Sequence, residues 1–161
     1  MHLEFKRMSE INNAEYVALH QNSLVRRQMP LMNEKFREKE CKEWVAGKEK
    51  QWEEHGYGPW AFVIDGRFAG WGGLQYEDGD ADLGLVLHPE FWGTGRHIYA
   101  EIIRRAFGEM GLGSATILLP PTRTRIKAIL RLGFQPDGEV VIDGERFIRY
   151  RLFAPDRERT Q

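Results

Sequence analysis

The stretch that decides the fold is Leu83-Gly-Leu-Val-Leu-His-Pro-Glu-Phe-Trp-Gly-Thr-Gly-Arg-His97. An apolar run ends at a His-Pro pair, a short Gly-Thr-Gly loop follows, and an amphipathic helix begins directly after it. A helix that begins immediately behind a glycine loop aims several backbone N–H groups and the positive end of its dipole at one point. The layout therefore predicts a site for a phosphate-bearing cofactor.

The segments around this stretch predict a mixed α/β domain. The predicted elements are a strand at residues 2–8, helices at 9–20 and 33–54, strands at 60–64, 68–76 and 81–87, a helix from the glycine loop to Gly111, a strand at 115–119, a helix at 122–132, and strands at 134–142 and 146–153. Ser9 is the expected N-cap of the first helix. The order β-α-α-β-β-β-α-β-α-β-β is that of a mixed sheet with helices packed over it, an α/β (α+β) fold. We interpret residues 1–155 as one domain and 156–161 as a polar tail.

The composition excludes several classes of function. The 161 residues are 42% hydrophobic and 29% charged with a net charge of −1, which is typical of a soluble single domain and argues against a nucleic-acid partner bound by bulk electrostatics. No run approaches the roughly 18 apolar residues of a membrane span, so no membrane contact is expected and the cytoplasm is the expected compartment. Cys41, the single cysteine, is expected to pack in the core. The five histidines lack metal-ligand spacing, so no metal is expected.

Two segments resemble the Gcn5-related N-acetyltransferases (GNAT). HPEFWGTGRHIYAEIIRRAF, at 88–107, resembles the family's cofactor motif R/Q-x-x-G-x-G/A, and PPTRTRIKAILRLGFQPDGEVVIDGERFIRYRL, at 120–152, resembles its closing module. WAFVIDGRFAGWGGLQYEDGDADLGLVL, at 60–87, is similar to the central strands of the family. The similarity covers roughly residues 60–153 and is greatest to the ribosomal-protein N-terminal acetyltransferase-like branch. A Walker loop or a Rossmann site fits poorly, because no Gly-Lys-Ser/Thr follows the glycines and the loop comes after antiparallel strands.

The resemblance implies the GNAT acyl-CoA N-acyltransferase fold, with acetyl-CoA as co-substrate. The diphosphate would bind at the loop and helix start, and the pantetheine arm would lie along the strand before them. The residues implied for the cofactor are Leu85, Val86, Leu87, Trp92, Gly93, Thr94, Gly95, Arg96, His97, Thr122 and Arg125. His97 stands where glycine or alanine is usual, and we hypothesise that its imidazole adds a charge-assisted contact to the diphosphate.

The catalytic groups are less clearly marked. Ile129 stands where related enzymes carry a tyrosine that protonates the leaving thiolate. Glu77 and Asp82 flank a turn close to the expected acceptor side, so each is a candidate general base, and each also fits a solvated turn carboxylate. The basic residues of the last predicted helix fit contacts to the 3′-phosphate of CoA or a solvated helix face: Arg123, Arg125, Lys127 and Arg131.

These residues favour an acetyl-CoA-dependent N-acetyltransferase in which an amine attacks the thioester directly in a ternary complex. The expected acceptor is a primary amine: a protein N-terminus, a small amine, an amino acid or an antibiotic. The alternative is an acyl-CoA-binding sensor or partner module that has lost catalysis, because the usual tyrosine is missing. A homodimer is compatible with such a fold, but the sequence does not indicate one.

Overall fold

The strands form one seven-stranded mixed sheet in the order β1-β2-β3-β4-β5-β7-β6. The computed structural model describes residues 1–29 and 36–155. Its strands are β1 (Leu3–Arg7), β2 (Pro59–Ile64), β3 (Arg67–Glu77), β4 (Asp80–Leu87), β5 (Ser114–Leu119), β6 (Gln135–Ile142) and β7 (Glu145–Phe153), and its α-helices are α1 (Asn13–Gln21), α2 (Ser23–Arg27), α3 (Glu38–His55), α4 (Gly95–Gly108) and α5 (Lys127–Arg131). Neighbouring strands are antiparallel except for β4 and β5, which run parallel. This confirms the predicted fold class and the predicted order of the strands along the chain. The helix α2 lies in a stretch for which no helix was predicted.

Two apolar clusters flank the sheet. One packs α4 against the sheet through the buried side chains of Ile98 and Ile102, together with Leu83 of β4. The other lies beneath α1 and α3 and contains Cys41 and Trp71, so the predicted packing role of Cys41 is confirmed. Within residues 1–29 and 36–155, no helix combines the length and the apolar character that crossing a membrane requires.

The start of the first helix differs from the prediction. Asn12, rather than Ser9, caps α1, and its side chain accepts the N–H of Ala14 at 3.0 Å. Ser9 lies in a short 3₁₀ helix, Met8–Glu10, that joins β1 to α1. Asn and Ser are comparable N-caps, so the type of capping residue alone does not decide where the helix begins. The second helix, predicted from residue 33, begins only at Glu38, because Arg37 has extended backbone and residues 36 and 37 are not helical. Residues 33–35 of that prediction and the tail at 156–161 lie outside the described residues.

The helix predicted at 122–132 is wrong in its first half. Only Lys127–Arg131 is helical, and the preceding residues form a loop in which Arg123 donates its backbone N–H to the Pro120 carbonyl at 3.0 Å. The Pro120-Pro121 pair favours extended and turn backbone. The cations at Arg123 and Arg125 would also oppose the positive end of a helix dipole.

The feature that positions the site is a divergence between β4 and β5. These parallel strands share a single paired position, Asp82 opposite Thr116, and separate beyond it. Among the described residues, the backbone of β4 from Leu83 onward therefore has no strand partner on its β5 side. A split of this kind in the middle of a sheet leaves backbone donors and acceptors facing a cleft.

Candidate active site

The cleft between β4 and β5 holds two adjacent cavities. The inner cavity, of about 140 Å³, lies between the diverging strands. The outer cavity, of about 460 Å³, lies against the start of α4 and against α5. Five residues line both cavities and mark their junction: Gln28, Leu85, Leu87, Tyr99 and Arg123. A ligand that enters along the outer cavity therefore reaches the split in the sheet.

The glycine segment forms the wall of the outer cavity at the start of α4. The sequence predicts a loop here, but Pro89–Thr94 form a 3₁₀ helix that continues directly into α4 at Gly95. Gly95 has a helical backbone with φ −53°, and a Cβ added to Gly93 would meet nothing within 4 Å. These glycines are therefore not required by the backbone conformation. They keep the surface at the helix start bare, so that a ligand can approach the backbone.

Side-chain hydrogen bonds hold this segment in place. The Trp92 indole N–H donates to the Leu87 carbonyl at 2.8 Å, and the Thr94 hydroxyl donates to the Phe91 carbonyl at 2.6 Å. His88 Nδ1 accepts the backbone N–H of Glu90 at 3.2 Å. The end of β4 and the start of α4 are thus tied together as one unit.

The electrostatics of the outer cavity suit an anion. The N-terminal end of α4 carries the positive end of the helix dipole. Arg96, on the first turn of α4, and Arg123, in the loop after β5, both line this cavity. Guanidinium groups bind phosphate oxygens in a two-pronged geometry, so a diphosphate is a chemically matched ligand.

Most of the cofactor residues expected from the sequence lie at the cleft. The outer cavity is lined by Leu85, Leu87, Trp92, Gly93, Gly95 and Arg96, and Val86 lines the inner one. Four others line neither of these two cavities: Thr94, within the 3₁₀ helix; His97, exposed on the first turn of α4; and Thr122 and Arg125, exposed in the loop before α5. Arg123, between the last two, does reach both cavities.

Asp82 stands at the point where the two strands part. The Thr116 hydroxyl donates to its Oδ1 at 2.8 Å. Burial raises the pKa of Asp82 to about 7, and the charges of Glu77 and Asp80 act in the same direction, against the Thr116 hydrogen bond. A carboxylate with such a pKa can take up a proton near neutral pH. Glu77, the other candidate, is exposed at the far end of β3, opposite Asp80.

Tyr99 is a site residue that the sequence analysis missed. Its ring is half-buried at the junction of the two cavities. Burial raises the pKa of Tyr99, the Arg123 guanidinium opposes that rise, and the Asp82 carboxylate adds to it. The signal lay in its spacing, because residues four apart share a helix face and Tyr99 follows Gly95 by four. Ile129, by contrast, is 3% exposed and packs in the core.

The inner cavity also takes side chains from α2, which the sequence analysis did not connect with the site. Val25, Gln28 and Met29 reach it from the side of the sheet that α1 and α3 cover. No local sequence signal marks them, because only the packing of α2 over the split brings them there. Residues 1–29 and 36–155 contain no group of three or more side chains that could hold a metal ion.

Comparison with solved structures places this fold among known acetyltransferases. A protein assigned to the GnaT acetyltransferase family from Bordetella pertussis is similar with a TM-score of 0.77 and 13% identity, over 92% of this chain and 94% of that one. Spermidine N-acetyltransferase from Vibrio cholerae, in complex with CoA and spermine, gives 0.73 and 13%, over 94% and 95%. RimJ from Mycobacterium smegmatis, in complex with CoA-disulfide, gives 0.71 and 20%, over 96% and 83%.

At these identities the structural similarity shows the fold alone. The family follows from the sequence, because the model of the acetyltransferase (GNAT) domain matches residues 2–135. That match contains the strands that diverge, the glycine segment and the whole of α4. The chain therefore belongs to the GNAT acetyltransferase family.

Proposed function

We propose that this protein transfers an acetyl group from acetyl-CoA to a primary amine by direct attack within a ternary complex. The observation that carries the proposal is the cleft between β4 and β5. One end of it offers a helix start and two guanidinium groups to a diphosphate, and Asp82, a carboxylate that can take up a proton, lies where the strands part, directly before the cavity-lining Leu83. A place for the donor and a candidate base for the acceptor thus lie on the same pair of strands.

The residues of the outer cavity fit the donor. Gly93, Gly95 and Arg96 would hold the diphosphate, and the dipole of α4 would stabilise it by about 0.3–2 kcal/mol. Leu85 and Leu87 would lie along the pantetheine arm, whose amides need backbone partners such as those that β4 leaves unpaired. The hypothesis for His97 is tested by His97→Ala, which should raise KM for acetyl-CoA. An unchanged KM excludes it.

The chemistry requires one proton to leave the amine and one to reach the departing sulfur. The amine nitrogen attacks the thioester carbonyl, the C–S bond breaks, and we assign the amine proton to Asp82. We assign the proton that reaches the thiolate to Tyr99, which its raised pKa keeps protonated and which lines the inner cavity with Arg123. Tyr99 then regains a proton, and Asp82 loses one, by exchange with solvent. Holding amine and thioester together in the cleft supplies much of the remaining rate enhancement.

An acyl-CoA-binding module without catalysis is the second candidate. It is favoured because Ile129, which stands where related enzymes carry a proton-donating tyrosine, is a buried apolar residue. Thiol release from acetyl-CoA, measured with a panel of peptides, polyamines, amino acids and aminoglycosides, separates the two. Turnover that falls at least 100-fold in Asp82→Asn but persists in Asp143→Asn, an exposed turn carboxylate, supports the transferase. Binding of CoA without turnover supports the module. Failure to bind CoA excludes both.

A further inference from the structure

The inner cavity lies in the split itself and is lined from both faces of the sheet: Leu83, Leu85 and Tyr99 line it on the α4 side, and a second set of residues lines it on the opposite face. Cross-strand pairing places Asp82, Gly84 and Val86 on one face of β4, since Trp71 lies opposite Val86 and belongs to the cluster beneath α1 and α3. Thr116 bonds to Asp82 on this face, so Leu118, two residues further along β5, lies there too. This is the side from which α2 reaches the cavity, and it is opposite the side of the proposed donor.

The walls on this face are mostly apolar. Val25 of α2 is 2% exposed and Phe147 of β7 is 7% exposed, and both line the cavity with Val86 and Leu118. Met29 also lies on this side, together with the polar side chain of Gln28. The inner cavity, of about 140 Å³ in all, extends to Leu85 and Tyr99 on the α4 side, so only part of it is available to the acceptor. That part fits a small hydrocarbon group.

The carboxylates near the inner cavity offer little attraction to a second ammonium group. Asp82 directly precedes Leu83 and Gly84, which line the cavity, and we take it as the group that accepts the amine proton. The next carboxylates on the same face, Asp80 and Asp137, are each 2.8 Å from the Arg151 guanidinium, and Asp137 also lies 3.1 Å from Arg149. These two carboxylates are already neutralised by paired cations. A polyamine would have to bury a charged end against Val25 and Phe147.

We infer that the acceptor is a primary amine with an apolar carbon group beside it, and that this group fills the chamber of Val25, Val86, Leu118 and Phe147. The inference rests on the proposed function, because it takes Asp82 as the group that the amine must reach. It names the class of acceptor that the transferase uses. Such an amine occurs on a free alkylamine or on a peptide whose first residue is large and apolar.

Matched acceptors test the class directly. Pentylamine and 1,5-diaminopentane have the same chain and differ by one charged end, and Leu-Gly-Gly and Lys-Gly-Gly form the corresponding peptide pair. With saturating acetyl-CoA, we expect kcat/KM to be at least tenfold higher for the apolar member of each pair. The pair with the larger kcat/KM identifies the source as a free amine or a peptide. Equal rates, or faster reaction of the charged members, overturn the inference while leaving the transferase intact. No thiol release with any amine overturns the proposed function as well.

A substitution in the chamber wall tests its location. A Cβ on Gly84 would meet nothing within 4 Å, and its φ lies outside the left-handed region, so Gly84→Val adds bulk to the chamber without a clash. We expect KM for pentylamine to rise at least tenfold while KM for acetyl-CoA stays within twofold. Gly113→Val, equally open but directly before β5 and lining neither cavity, is the matched control and should change neither. An unchanged KM for pentylamine in Gly84→Val, with the fold confirmed by circular dichroism, contradicts the assignment.

Discussion

Removing the hydroxyl that bonds to Asp82 should shift the pH dependence of the reaction. Thr116 is 1% exposed and donates to Asp82 Oδ1 at 2.8 Å, which favours the ionised carboxylate. A hydrogen bond to a charged group contributes about 1.5–3 kcal/mol, or roughly one to two pKa units. Thr116→Val should therefore raise the pKa of Asp82 from about 7 to a value at least one unit higher.

The assay is kcat/KM for the amine as a function of pH. A base acts only when ionised, so a shift of one unit lowers the rate about tenfold at pH 6 and leaves the variant close to the parent protein at pH 9. The amine's own titration affects both proteins equally and cancels in their ratio. Thr116→Ser keeps the hydroxyl and should follow the parent profile. A ratio that does not change with pH, or a limb that moves to lower pH, refutes the role of Asp82 as the base.

Three further predictions concern residues around the cleft and the core. His20 is 2% exposed and accepts the Trp71 indole N–H at 2.9 Å. Burial and the charge of Lys48 lower its pKa to about 4, so the folded protein favours the neutral form of His20. In the unfolded chain His20 takes up a proton below about pH 6.5, whereas in the folded chain it does so only near pH 4. The free energy of unfolding should therefore fall by up to ~3 kcal/mol between these pH values and stay lower below them. Urea titrations of the parent protein and of His20→Phe would show the difference, and a fall of equal size in both would refute the prediction. Arg123→Gln should weaken CoA binding, measured by calorimetry, about 10-fold. Arg131 is exposed on α5 and does not line the cleft, so Arg131→Gln should leave the affinity unchanged. Equal losses in the two variants would contradict the phosphate contact. Tyr99→Phe should lower kcat about 10- to 100-fold with KM for acetyl-CoA unchanged, and a change in KM alone would make Tyr99 a binding residue only.

Local patterns predicted most of the framework. The Asp65-Gly66 and Asp143-Gly144 turns have positive φ at both residues, between 49° and 80°, as expected for two-residue hairpin loops. The alternating pattern of the strands and the amphipathic pattern of α4 also predicted these elements. These features depend on a few neighbouring residues, so the sequence displays them directly.

The site was only partly predictable, because it forms where distant segments meet. The glycine segment and Leu85–Leu87 belong to one continuous stretch, and the sequence marks them well. Val25 and Phe147 reach the same cavity from α2 and β7, and no local signal connects them. Arg123 lies in a segment whose predicted helix does not form, so its direction could not be derived from helical spacing.

The central claim is that the split between β4 and β5 brings an acyl thioester to Asp82 and Tyr99. A crystal structure of the protein with CoA bound tests it most directly. We predict that the diphosphate contacts the backbone of Gly93 and Gly95 and that the sulfur lies at the junction of the cavities, beside Tyr99. A diphosphate bound elsewhere, or a sulfur outside the cleft, would contradict the account.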